Sequence, residues 1–227
     1  MYNKFVITGT SSGLGEGLAY ELLNFGGNVI GISTSDIKNE FLSDNQCYDH
    51  IALDLNDLNS ITSLDISKLV LPSDKICLII NAAQFSFDDS MSIEMDTANM
   101  MFNINYHSAV SLIKLLKNNL KRVIFINSIS GLNSQLNQSQ YSASKHALQA
   151  YSEVLAKESV ALDFDVMSLN PGGMKTPLWG KIDTSVDQSK FLEIETVVAT
   201  VRFLANLPIN TYIKNFTLLP SSDVMNN

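Results

Sequence analysis

Basic side chains are in short supply in this 227-residue sequence. Fifteen lysines and arginines stand against 23 aspartates and glutamates, giving a formal net charge of -8 and a pI near 4.8. No basic run occurs, which argues against a nucleic-acid or anionic-membrane surface, since both need clustered Lys and Arg. Cysteine is nearly absent too. Cys47 and Cys77 lack metal-ligand spacing, and Cys77 sits inside an apolar run, so both are expected to be buried, reduced thiols. The three histidines, His50, His107 and His146, are scattered and form no metal site. No apolar stretch approaches the roughly 18 residues that a membrane span needs. No charged leader with a small-residue cleavage site precedes the first strand-like segment. Repeats, low-complexity tracts and linkers are also missing. These absences predict a soluble, cytoplasmic protein with no nucleic-acid or membrane partner. At 45% apolar residues, the chain is expected to form one well-buried core in a single domain over 1–227.

What is present is a regular alternation of strand and helix signals. Strands are expected at Lys4 to Thr8, Val29 to Ile32, His50 to Leu53, Ile76 to Ile80, Arg122 to Ile126, Phe164 to Leu169 and Ile213 to Leu218. Helices are expected at Leu14 to Asn24, Asp57 to about Lys68, Met100 to Asn118, Tyr141 to about Leu162 and Glu193 to Leu207. Such alternation predicts an α/β protein with a doubly wound parallel sheet of about seven strands, flanked by helices on both faces. The polar segment from Leu178 to Ser189, with the single tryptophan Trp179, reads as a flap or short loop over a site.

Chemistry-bearing residues fall at the strand ends or in the helix that follows. Between the first strand and helix lies Gly9-Thr-Ser11-Ser12-Gly13-Leu14-Gly15, a strand–glycine turn–helix arrangement. Such a turn lets backbone N–H groups and the positive end of a helix approach a phosphate, and glycine is needed where a Cβ would block the approach. The second strand ends in Ser33-Thr34-Ser35, where a dinucleotide site would face the adenosine ribose. No carboxylate stands there to bind a 2′-hydroxyl and repel a 2′-phosphate, which favours NADP over NAD, although the three hydroxyls could equally open a polar loop. The fourth strand ends in Asn81-Ala82-Ala83, small enough to let a ligand lie close. On the helix after the fifth strand, Tyr141 and Lys145 are one turn apart on one face. An ammonium beside a phenol favours the phenolate and brings a proton that titrates near ~10 toward a useful range. In isolation the simpler reading of such a pair is an exposed helix surface, so the assignment rests on the whole constellation.

Taken together these motifs resemble the short-chain dehydrogenase/reductase family over essentially the whole chain. Thr8-Gly9-Thr-Ser-Ser-Gly13-Leu-Gly15 is similar to its T-G-x-x-x-G-x-G cofactor turn, and Asp54, followed by Leu55, to its adenine-contacting Asp. Asn105 is similar to the Asn of its central helix, and Ser128, thirteen residues before Tyr141, to its catalytic Ser. Tyr141 and Lys145 match its Y-x-x-x-K. Pro171-Gly172 and Thr176 match its P-G turn and the Thr that touches the nicotinamide carboxamide, and Met174 between them is implied in the cofactor site. The N-N-A-G motif of the family is altered to Ile80-Asn81-Ala82-Ala83, and Asn127 replaces a frequent Ser. The resemblance implies a Rossmann-like fold and NAD(P)-dependent hydride transfer between a nicotinamide and a carbonyl or alcohol substrate. It implies Tyr141 as general acid/base, Ser128 stabilising the substrate oxygen, Lys145 holding the nicotinamide ribose, and Asn105 holding a water that links Lys145 to solvent. It also implies a homodimer or homotetramer through the helices carrying Asn105 and Tyr141, where Ala143, Ala147 and Ala150 would permit close approach or simply pack on the sheet. A catalytically silent dinucleotide-binding regulator or scaffold of the same fold is the alternative. The substrate is unreadable, because its pocket would be built from Gln84 to Ile93, Leu132 to Leu136 and Leu178 to Ser189.

Overall fold

The computed structural model describes residues 2–35, 39–87, 89–177 and 187–222. Most of the flap expected at Leu178 to Ser189, including Trp179, lies outside the described residues. Seven strands form one parallel sheet: β1 (Lys4–Thr8), β2 (Asn28–Ser33), β3 (Tyr48–Ala52), β4 (Ile76–Ile80), β5 (Leu120–Ile126), β6 (Asp165–Pro171) and β7 (Phe216–Leu218). Their order is β3-β2-β1-β4-β5-β6-β7, so the connection reverses direction between β1 and β4. The central strands are near-continuous apolar runs because both faces are covered, and all five residues of β4 are buried. On one face α1 (Gly13–Asn24) and α7 (Ile194–Asn206) pack Leu18, Leu22, Val197 and Val201 against Ile7, Ile79 and Ile124. On the other, α3 (Leu58–Thr62), α5 (Ser108–Leu116) and α6 (Ser139–Glu158) pack Ile61, Leu112 and Leu148 against Val6, Leu78 and Phe125. Among the described residues no helix is long and apolar enough to cross a membrane.

Several expected boundaries shift, each for a local reason. The helix expected from Asp57 to Lys68 stops after five residues. Asp57 caps its start through the Asn59 and Ser60 N–H groups, and the Thr62 and Ser63 hydroxyls turn back onto the Asn59 carbonyl. A short helix, α2 (Glu40–Ser43), appears where none was expected, with Asn39 accepting from Phe41 and Leu42 N–H. In place of one helix from Met100 to Asn118, α4 (Met95–Phe102) leads through a π turn at Asn103–His107 into α5. The wider turn rotates the faces of the two helices relative to each other, which hides the segment from a 3.6-residue pattern. Helix α6 ends at Glu158, followed by a 3-10 turn, and Asp163 closes it at φ 61. The last strand is shortened to three residues. Cys77 is buried as expected, its thiol pushed up to about 12 by burial, but Cys47 is exposed.

Arg122, inside β5 and wholly buried, ties the far end of this sheet to α7. Its Nη1 donates to the Leu204, Ala205 and Leu207 carbonyls at 2.9, 3.2 and 2.9 Å. Its Nη2 donates to Asp165 Oδ2 at 2.7 Å and to the Pro208 carbonyl at 3.0 Å. The guanidinium thus satisfies helix-end carbonyls that would otherwise be orphaned. Arg122→Ala leaves Asp165 without its buried partner and should cost about 3–5 kcal/mol in urea unfolding; a loss under about 1 kcal/mol would contradict this role.

Candidate active site

A cavity of about 750 Å³ opens at the carboxyl ends of β1 and β4, where the strand order reverses. Its floor is a close meeting of backbones. Thr8 Oγ1 accepts the N–H groups of both Asn81 and Ala82 at 2.9 Å, and Asn81 Nδ2 donates to the Thr8 carbonyl at 2.8 Å. A Cβ on Gly9, which has φ 78, would lie 3.0 Å from Ala82 Cα. One on Gly15 would lie 2.1 Å from the Gly9 carbonyl oxygen, so no side chain fits there. Ser12 precedes α1 without a side-chain cap, leaving first-turn N–H groups of a 12-residue helix for an anion at the cavity. A dinucleotide's phosphates fit this uncapped, glycine-built cradle.

The other end of the cavity is built by α6 and the turn after β5. Ser128 caps a 3-10 turn, Ile129–Gly131, by accepting from Ser130 N–H at 3.1 Å. Gly131 lets that turn lie against α6, since a Cβ there would sit 2.8 Å from the Lys145 carbonyl oxygen. Tyr141 and Lys145 share one face of α6, with Nζ 5.8 Å from the phenol ring centroid. Lys145 is 1% exposed, and Nζ donates to the Ile126 carbonyl at 3.2 Å. Burial pushes the Tyr141 phenol up to about 12, against a smaller lowering by a hydrogen bond with Ser128, and lowers the Lys145 ammonium to about 8. This differs from the expectation that the lysine lowers the phenol: burial disfavours the charged form of each group, and the one lowering influence on the phenol is the Ser128 hydrogen bond. At neutral pH the phenol therefore keeps its proton and is set to donate it.

Most predicted site residues lie on the cavity wall. They are Gly9, Ser11 to Gly15, Ser33, Thr34, Asp54, Leu55, Asn81 to Ala83, Tyr141, Lys145, Met174 and Thr176. Four stand off the wall. Ser128 adjoins Tyr141. Asn105, 1% exposed in the π turn, spends its amide on Gln84, accepting from its N–H at 2.7 Å and donating to its carbonyl at 2.9 Å, and also donates to Ser144 Oγ at 2.9 Å. Its side chain thereby pins the wall at Gln84. Pro171 and Gly172 are buried, and the Gly172 N–H donates to the Leu218 carbonyl at 2.9 Å, joining β6 to β7. Of the three hydroxyls at the end of β2, Ser33 is buried and engaged by the Ser35 carbonyl at 3.2 Å and His50 Nε2 at 2.8 Å, while Thr34 and Ser35 are exposed.

Sequence reading overlooked Gln149, the hub of a buried polar network. Its Oε1 accepts from Asn127 Nδ2 and Ser168 Oγ, both at 3.0 Å, and its Nε2 donates to Glu153 Oε1 and Asn215 Oδ1. Through Asn127 it holds the residue next to Ser128. Its position four residues after Lys145 and eight after Tyr141, on the same helix face, was the available signal. No cluster of metal-ligating side chains occurs among the described residues.

Residues 3–187 match the family described as short chain dehydrogenase. The chain belongs to the short-chain dehydrogenase/reductase family. Among curated relatives, the dehydrogenase/reductase SDR family member 7B of Xenopus laevis is 30% identical over 190 residues, covering 76% of this chain and 58% of that protein. The 3-oxoacyl-[acyl-carrier-protein] reductase FabG of Buchnera aphidicola is 28% identical over 93% of each chain. Solved structures with this fold include a serine dehydrogenase complexed with NADP+, at TM-score 0.82 and 18% identity over 95% of this chain and 94% of that one. A 4-hydroxyisoleucine dehydrogenase complexed with NADH has TM-score 0.78 and 23% identity over 96% and 97% of the two chains. The family's oxidoreductase character and its Rossmann-like parallel sheet hold for this chain.

The depressed Lys145 value has a measurable consequence. In the unfolded chain the ammonium persists to 10.5, in the fold only to about 8. Below pH 8 folding therefore carries a charge into the interior, at a cost on the order of 3 kcal/mol. That cost fades as pH rises toward 10.5, where the unfolded side chain is neutral as well. Lys145→Met should accordingly raise the thermal midpoint at pH 7 by several degrees, with the gain shrinking at pH 9.5. A variant less stable than the parent at pH 7 would refute the buried charge.

Proposed function

We propose that this protein is an NAD(P)-dependent oxidoreductase that interconverts a carbonyl and an alcohol, with Tyr141 as general acid/base. The observation that carries the reading is a single cavity with two complementary ends. One is an uncapped glycine cradle at α1; the other is a proton-bearing Tyr141 flanked by Ser128 and Lys145. A nicotinamide bound there would supply or accept the hydride. Thr8 to Gly15 and the start of α1 would hold its phosphates, Asp54 and Leu55 its adenine, and Met174 and Thr176 its carboxamide end. Ser128 Oγ would donate to the substrate oxygen and stabilise its developing charge. Tyr141 would pass its hydroxyl proton to that oxygen in reduction and take it back in oxidation. The Lys145 ammonium would stabilise the transient phenolate and hydrogen-bond the ribose. The serine dehydrogenase with NADP+ and the 4-hydroxyisoleucine dehydrogenase with NADH support a nicotinamide of either kind. We favour NADP, because the end of β2 offers exposed Thr34 and Ser35 and no carboxylate stands at Ser33 or Thr34. The proposed enzyme is cytoplasmic and a homo-oligomer. Ala143 and Ala150, exposed on α6, support close approach of a second copy.

Tyr141→Phe should abolish turnover of carbonyls with NADPH or NADH while leaving cofactor affinity within a few-fold in fluorescence titration. Turnover near that of the parent protein would sink the assignment. The same titrations on the parent protein should find NADPH bound at least tenfold more tightly than NADH, about 1.4 kcal/mol; the reverse order would reverse the cofactor choice.

A further inference from the structure

The wall facing Tyr141 is aromatic. Phe85, 6% exposed, meets the Tyr141 ring edge-on, with centroids 4.7 Å apart and planes at 76°. Phe87 meets Phe85 in the same way at 5.1 Å and 81°, and is itself 41% exposed. Both rings line the cavity, two residues apart in the segment that follows β4. That segment is held at its root, because Asn105 grips both the N–H and the carbonyl of Gln84. The backbone before Phe85 is thus anchored before any substrate arrives, and Phe85 rests against Tyr141, which lowers the entropic cost of using this wall as a binding surface. Met174 and Pro177 also line the cavity and add apolar surface. The ionisable side chains that the cavity has among the described residues are Asp54, Tyr141 and Lys145. Asp54 follows β3, away from Tyr141 in the strand order, and Lys145 is buried, with Nζ 5.8 Å from the Tyr141 ring centroid. A substrate carboxylate would meet no described side-chain cation beside Phe85, and charge without a partner is costly to bury. An aryl group would stack edge-on with Phe87, extending the row of rings.

Building on the oxidoreductase reading above, we propose that the site takes aromatic carbonyl compounds and the corresponding aryl alcohols, with Phe85 and Phe87 as the residues that select for the ring. The reaction balances as in any carbonyl reduction. Hydride adds to the carbonyl carbon, the C=O π pair moves to oxygen, and the Tyr141 proton completes the alcohol, leaving the nicotinamide oxidised.

Binding and turnover test the two proposals separately. Saturation-transfer NMR on Tyr141→Phe protein, which keeps the ring beside Phe85, reads binding of benzaldehyde, pyruvate and glyceraldehyde with NADPH present. Benzaldehyde should bind at least tenfold more tightly than pyruvate, and adding Phe87→Ala should remove most of that difference. In an otherwise unaltered protein, Phe87→Ala and the still apolar Phe85→Leu should each lower the ratio of kcat/KM for benzaldehyde over glyceraldehyde by about tenfold. Tighter binding of pyruvate, or an unchanged ratio in both variants, overturns the aromatic selection. Benzaldehyde binding that depends on Phe87, with no turnover of any carbonyl by NADPH or NADH, upholds the aromatic site and overturns the oxidoreductase reading.

Discussion

One hydroxyl organises the centre of this molecule. Thr8 Oγ1 takes two consecutive backbone N–H groups from the end of β4. The chain leaves both strands there, so these N–H groups have no ladder partner, and a buried orphan amide costs about 1–3 kcal/mol. With the hydroxyl in place, β1 and β4 stay together just where their connections diverge to opposite faces of the sheet. The cleft between those connections is the cavity. Gly9 follows from the same constraint, since a side chain there would press on the Ala82 backbone, and Gly15 in turn lets the start of α1 lie against Gly9.

Around that seam the protein accepts an unfavourable burial. Lys145 enters the interior with the Ile126 carbonyl as an acceptor, and Tyr141 beside it is held protonated. A core optimised only for stability would place an apolar side chain at 145. The surrounding polar groups are fixed instead of fluid: Gln149 uses both ends of its amide, and Asn105 secures Gln84 and Ser144. Rigid neighbours keep the Tyr141, Ser128 and Lys145 geometry in place without a ligand to shape it.

The sheet was legible because covered parallel strands are continuous apolar runs, and Ile76 to Ile80 needs no context to be recognised. The glycine turn and the Tyr141–Lys145 pair were legible because each couples a residue type to a fixed spacing. The π turn was not, since its extra residue breaks the very periodicity by which helices are found. The direction of the Tyr141 shift was also illegible: spacing places an ammonium near a phenol but does not say how far each is buried. Gln149 has no motif of its own, and its role depends on Asn127, Ser168 and Asn215 arriving from three other segments. The aromatic wall was similarly hidden, because Phe85 and Phe87 are an unremarkable pair until α6 delivers Tyr141 against them.

The first strand of the chain is the third in the sheet. Strand β1 therefore has no permanent neighbour until β2 has been made, and its other edge stays open until β4 arrives some seventy residues later. Every strand pairing is parallel and needs a crossover, so early contacts are distant in sequence and loop closure must precede any reward. During synthesis, the apolar residues Phe5 to Ile7 pass through a period with one unpaired edge, the condition in which strands associate wrongly. The central position that makes β1 the anchor of the finished cleft also leaves it with open edges for longest while the chain is incomplete.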